Sequence, residues 1–105
     1  MCGIFGLISR EESNISPADY KKILTGLFKF SESRGKEASG FAFVNSDSIP
    51  VYKTPYPASR LVASKIFKQQ LDNLFETKQK SVAAIGHARL VTNGFEQYND
   101  NNQPV

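Results

Sequence analysis

"SVAAIGHARLV", residues 81–91, reads as an apolar strand that carries His87 and Arg89 close to its end. A short apolar run bounded by polar segments is the pattern of a strand covered by its neighbours. An arginine within it is out of place, because charged groups are seldom buried without a partner. A guanidinium is also the preferred fork for a carboxylate, which it holds through two parallel hydrogen bonds. Two readings of Arg89 follow. Either it binds a ligand carboxylate, with Thr92 and backbone groups of the next turn adding contacts, or it stands in solvent or in an internal ion pair. His87 is two residues earlier, so in a strand it shares the face of Arg89. A lone histidine is more often a hydrogen-bonded structural residue than a catalyst. "TNG", 92–94, is a turn signal, and "FEQYNDNNQPV", 95–105, is loop-like.

Working back toward the N-terminus, two helices and three more strand-like runs are legible. "CGIFGLIS", 2–9, is apolar and partly β-branched and reads as a buried strand. Ser16 is a good N-cap, Pro17 suits the first helical position, and Asp19 lies where the helix dipole favours a carboxylate. Tyr20, Ile23, Leu24, Leu27 and Phe28 then fall on one helical face, and the helix runs out near "SESRG", 31–35. "RGKEASG", 34–40, reads as a loop. "GFAFVN", 40–45, and "SIPVYKT", 48–54, joined through "SDS", predict a hairpin. Pro55 and Pro57 end it, since proline cannot donate to a central ladder. A second helix is predicted from Ala58 to about Thr77, with Leu61, Val62, Ile66, Phe67, Leu71, Leu74 and Phe75 on its buried side. The order strand, helix, hairpin, helix, strand predicts a single α+β domain over 1–105, a sheet covered by helices. Two helices and about four strands leave a sheet edge exposed, so further chain or a partner is expected beyond Val105.

Composition narrows the function classes. The chain has 105 residues, 40% hydrophobic and 22% charged, an ordinary globular balance. Its net charge of +3 comes from 13 basic and 10 acidic residues, and the basic ones are scattered. A nucleic-acid footprint would be denser and interleaved with exposed aromatics, so nucleic acid is not an expected partner. One cysteine excludes an intrachain disulfide, and one cysteine with one histidine is too few for a structural zinc site. No metal or cofactor is expected. No apolar run approaches the ~20 residues of a membrane span, and no charged-then-apolar leader is visible. A cytoplasmic protein is the expectation.

That single cysteine is Cys2, directly behind the initiator methionine. A free thiol has a pKa of about 8.5 and needs help to ionise at neutral pH. An N-terminal cysteine carries a helper, because its α-amine, at about 7.7–8, can act as the base. Methionine is normally trimmed when the next side chain is this small, so exposure of that amine is expected. The plainer reading is that Cys2 is a small apolar residue starting a buried strand.

Four stretches in order, "MCGIFG" (1–6), "RGKEASG" (34–40), "GHARLVTNG" (86–94) and "NNQP" (101–104), resemble the successive motifs of the class II glutamine amidotransferase domain, a branch of the N-terminal-nucleophile hydrolases. The resemblance covers the whole chain as the N-terminal portion of such a glutaminase domain. It implies a four-layer α/β/β/α sandwich with two stacked, mainly antiparallel sheets, incomplete at this length. It implies hydrolysis of the glutamine side-chain amide to glutamate and ammonia, the ammonia passing to an acceptor in a synthase domain or subunit. Cys2 then supplies the attacking thiolate and its amine shuttles protons. Arg89 binds the α-carboxylate of glutamine with Thr92, Asn93 and Gly94 around it, and Arg34 and Gly35 form the loop beside the nucleophile. His87 belongs to the motif in a structural role.

Asn93-Gly94 departs from the His-Gly of sugar-amidating members, and "NNQP" and "RGKEASG" lean toward the phosphoribosyl-amidating branch; the asparagine synthetase branch fits "VTNG" less well. The oxyanion-hole Asn-Gly segment is expected beyond Val105, so the 105 residues alone are expected to be inactive or unstable. A non-catalytic module that keeps this fold, another N-terminal-nucleophile amidohydrolase, and an oligomeric assembly all stay open.

Overall fold

Ser16 starts the first helix as its chemistry requires: its hydroxyl accepts the Asp19 backbone N–H at 3.1 Å, and Pro17 follows in the first turn. The structure, a computed structural model, describes residues 2–10, 13, 15–45, 48–76, 81–90 and 102–104. Its elements in chain order are β1 (Gly3–Arg10), α1 (Pro17–Ser31), a short 3-10 turn (Glu32–Arg34), β2 (Ala38–Val44), β3 (Val51–Thr54), α2 (Ala58–Ala63), α3 (Lys65–Glu76) and β4 (Ser81–Arg89). The strands form one antiparallel sheet in the order β1-β4-β2-β3. β4 is therefore paired on both sides, and β2–β3 is the expected hairpin.

Register assigns each side chain to a face, because directly paired residues share one. Phe5 lies opposite Gly86, Leu7 opposite Ala84, Phe41 opposite Gly86 and Phe43 opposite Ala84. These residues face the helices. Small side chains on β4 make room for large ones arriving from elsewhere. The Phe5 ring lies over Gly86, where any Cβ would overlap it. Edge-to-face contacts then run from Phe5 to Phe28 at 4.7 Å and from Phe28 to Phe67 at 5.4 Å, tying β1 through α1 to α3. Tyr20, Leu24, Phe28, Leu61, Phe67, Leu71 and Leu74 complete this core. The described residues thus form two layers, one of helices and one sheet, where the resemblance implied four.

Three local expectations are corrected. β1 is covered on one face only, with Ile4 and Ile8 each 74% exposed on the other. Both faces of the strand carry apolar residues, so the period-two signal was hidden. The second helix is two helices. Ser64 ends α2, its N–H bonding to the Leu61 carbonyl, and its hydroxyl accepts the Phe67 N–H at 3.2 Å to start α3. Ile66 is only half-buried as a result. Finally, "RGKEASG" is not loop throughout, because Arg34 closes the 3-10 turn and Ala38–Gly40 already belong to β2.

One hydrogen bond fastens α1 to the sheet edge: the fully buried Tyr20 donates its hydroxyl to the Leu7 carbonyl at 2.8 Å. Burial pushes this hydroxyl up to about 12. Its stabilising effect is full below the ordinary tyrosine value near 10 and is lost as pH rises toward 12. Tyr20→Phe is expected to lower unfolding free energy by about 1 kcal/mol in urea titrations at pH 7. It should also flatten the loss of stability between pH 10 and 12.

Candidate active site at the Cys2 end of the sheet

β4 ends in Arg89, and the residue opposite Ala88 on β1 is Gly3. Cys2, one position before Gly3, is thereby delivered to the same end of the sheet as Arg89. Its thiol donates to the Leu90 carbonyl, the residue after Arg89, at 3.6 Å. Cys2 is half-buried, so its sulfur is within reach of small molecules.

The 3-10 turn closes this end. It packs against both β1 and β4, and a Cβ built at Gly3 would lie 3.2 Å from the Arg34 Cβ. Gly35 sits in extended backbone, with φ −168° and ψ 120°. Its lack of a side chain is needed for closeness rather than for an unusual dihedral, because a Cβ there would collide with the Arg89 carbonyl carbon and the Leu90 nitrogen. The Glu37 N–H then bonds to the Arg89 carbonyl at 3.2 Å. On its other side the turn is anchored to α2, where the Glu32 carboxylate accepts the Ser59 N–H at 2.9 Å and the Ser59 hydroxyl at 3.1 Å. Ser33, Arg34, Gly35, Lys36, Glu37 and Leu90 line a polar hollow of about 300 Å³ beside this junction. A larger groove of about 570 Å³ lies along the outer side of α1 and shares no residue with the Cys2 end.

Arg89 points to the sheet face away from the helices, as its alternation with Ala88 requires. It is nonetheless 6% exposed, and its Nη1 donates to Oδ1 of Asn102 at 2.6 Å. Asn102 is itself 1% exposed. The two readings of Arg89 are thus narrowed: it is a buried guanidinium with an amide partner, and not a strand-end arginine in solvent. His87 lies on the same face between Ile4 and Gly40. It is 6% exposed, and among the described residues its Nδ1 has no hydrogen-bond partner. Burial, and secondly the neighbouring Arg89 charge, push the imidazole below its ordinary value, so it is neutral at pH 7.

The structure therefore brings Cys2, Arg34, Gly35 and Arg89 to one end of the sheet. Thr92, Asn93 and Gly94 lie outside the described residues. Asn102 is the site residue that sequence reasoning missed. "NNQP" was legible as a motif, but a contact spanning 13 residues to Arg89 leaves no local pattern. Among the described residues no cluster of His, Cys, Asp or Glu is assembled that could hold a metal ion, and no helix is long and apolar enough to cross a membrane.

No protein-family sequence profile and no solved structure matches the chain. Among curated proteins, an aligned stretch of 94 residues is 37% identical to a protein from Methanocaldococcus jannaschii. That protein is named amidophosphoribosyltransferase. The alignment covers 90% of this chain and 17% of the relative, so the chain spans about a sixth of that relative's length.

His87 is the sole histidine, so its ring can be followed directly by proton NMR. The ring should titrate below 6.5, the ordinary value; titration at or above it would contradict the buried, Arg89-facing geometry. In the unfolded chain the imidazole takes up its proton first as pH falls. Stability tied to His87 is thus full above about pH 6.5 and is lost below it, down through the lowered folded value. His87→Gln should reduce that acid-side loss in urea unfolding compared at pH 7.5 and 5.5.

Proposed function

We propose that the chain is the N-terminal part of a glutaminase domain of a class II glutamine amidotransferase, of the phosphoribosyl-amidating type. The observation that carries this reading is the delivery of Cys2 to the sheet end where β4 presents the buried Arg89. The relative's name supports the phosphoribosyl branch, toward which "NNQP" and "RGKEASG" already lean. Within it, the four-stranded sheet is one of the two sheets of the N-terminal-nucleophile sandwich. The exposed Ile4, Ile8 and Ile85 mark the face on which the second sheet stacks.

The mechanism follows from the groups present. Removal of Met1 makes Cys2 the first residue and frees its amine, which takes the thiol proton. The thiolate adds to the side-chain amide carbon of glutamine. The resulting tetrahedral intermediate collapses as the ammonium form of the amine returns its proton to the departing ammonia, leaving a γ-glutamyl thioester. Water, deprotonated by the same amine, then releases glutamate and restores the thiol. Arg89 holds the α-carboxylate of glutamine through paired hydrogen bonds, with Thr92, Asn93 and Gly94 completing its surroundings. Arg34 and Gly35 shape the wall beside the sulfur. The ammonia passes to an acceptor in a synthase domain or subunit.

Glutamate release from glutamine by the full-length protein tests this. Cys2→Ala should reduce release to background, and Arg89→Ala should raise KM for glutamine about 10–100-fold, the worth of hydrogen bonds to a charged group. Retained Met1 with no glutamate release would favour a non-catalytic module keeping this fold. Turnover of a different amide, indifferent to Arg89→Ala, would favour another N-terminal-nucleophile amidohydrolase.

A further inference from the structure

Phe30 is 81% exposed and Ile23 42%, both on the outer side of α1. Single exposed apolar side chains are ordinary, but these are not scattered. With Ile15 and Leu27 they wall the groove of about 570 Å³ along the helix, and Gly26 leaves its floor open. Asp19, Lys22, Gly26 and Lys29 follow one another on this side at spacings of three and four, the repeat of a helix that packs against another helix. A glycine in mid-helix weakens the helix relative to alanine. Nothing inside the chain accounts for it here: among the described residues, a Cβ at position 26 would meet only the Phe30 ring, at 4.0 Å.

The occupant follows from how the two halves of the helix are marked. α1 spans Pro17–Ser31, so its midpoint is Leu24. Asp19 stands five residues before that midpoint and Lys29 five after it; Lys22 stands two before and Gly26 two after. A twofold axis at Leu24, perpendicular to the helix, exchanges these positions, as a contact between identical surfaces requires. Asp19 of one copy then meets Lys29 of the other, twice by symmetry. Each Phe30 is laid against Ala18, at the end of the opposite groove lined by Ile15 and Asp19. Each Gly26 receives the aliphatic stem of a Lys22, whose ammonium still reaches water. The antiparallel arrangement also sets the acidic first turn of one helix beside the basic last turn of the other. Parallel pairing would instead oppose Asp19 to Asp19 and Lys29 to Lys29. We propose that the outer face of α1 is a docking surface for a second copy of this chain, packed antiparallel, with Phe30 as its anchor. The proposal is independent of the glutaminase reading, since the groove shares no residue with the Cys2 end of the sheet.

The test is zero-length carbodiimide cross-linking of the full-length protein, read by peptide mass spectrometry. Within one helix Asp19 and Lys29 are about 15 Å apart along the axis, out of reach of each other, so a product joining them comes from two copies. Lys21 and Asp72 form an ion pair between α1 and α3 of one copy, and their product reports that the fold is intact. The wild type should give both products. Phe30→Glu should cut the Asp19–Lys29 product about tenfold, as loss of an interface anchor does, and leave the Lys21–Asp72 product unchanged. The double variant Asp19→Lys with Lys29→Asp should keep the product joining positions 19 and 29, because the twofold axis restores both pairs. Absence of the Asp19–Lys29 product in the wild type overturns the proposal. So does wild-type yield in Phe30→Glu, or loss of the product in the double variant. Cross-links that join Asp19 or Lys29 instead to another segment of the protein, or to a different protein, give the groove another occupant and overturn it as well.

Discussion

A guanidinium at the closed end of the central strand has to be supplied with partners, because a charge taken out of water without them is prohibitively costly. Arg89 is in that position, 6% exposed at the last residue of β4. The surrounding chain is arranged to meet the requirement. Asn102 arrives from a distant segment to accept an N–H. The Arg89 backbone is held from the other side by the Glu37 N–H and by the close approach of Gly35. The same backbone continues into Leu90, whose carbonyl receives the Cys2 thiol. The Cys2 thiol and the Arg89 cation are thereby fixed relative to one another by the path of a single strand end.

That fixity depends on the core beneath. β4 offers Val82, Ala84, Gly86 and Ala88 to the helices, small side chains in the middle of the sheet. Large rings from β1, β2, α1 and α3 converge on the space so left, including Phe41 stacked on Phe43 at 4.2 Å and Phe41 edge-on to Phe67 at 5.6 Å. Packing of this density resists small displacements, so the register that pairs Gly3 with Ala88 is firmly set. A slip of one residue between β1 and β4 would either turn Phe5 and Leu7 out of the core or turn Arg89 into it. The hydrophobic pattern and the site geometry therefore enforce the same register.

Features with a local cause were legible in the sequence. The cap of α1, the β2–β3 hairpin and the strand ending in Arg89 stand where propensity and spacing placed them; of the predicted apolar face of α1, Tyr20, Leu24 and Phe28 are buried while Ile23 is exposed. The break at Ser64 was concealed because α2 and α3 share a continuous apolar face, and serine reads as tolerable within a helix as well as at its start. β1 was read as buried throughout because Ile4 and Ile8 are as apolar as Phe5 and Leu7. At the site, Cys2 and Arg89 were legible by residue type and motif. The reason for Gly35 is visible only in the fold: its backbone is extended, with φ −168°, and a side chain there would collide with Arg89 and Leu90. Asn102 was legible only as part of the NNQP motif, since its contact with Arg89 exists only once the chain has folded.

The central claim is that Cys2 is a nucleophile placed beside a carboxylate-binding arginine. Its most direct test is reaction of the full-length protein with a chloroketone analogue of glutamine, followed by intact-mass and peptide mass spectrometry. The account predicts loss of Met1 and a single adduct on Cys2, formed more slowly in the presence of glutamine and more slowly in Arg89→Ala. Retention of Met1 without an adduct, or labelling that glutamine does not slow, would contradict it.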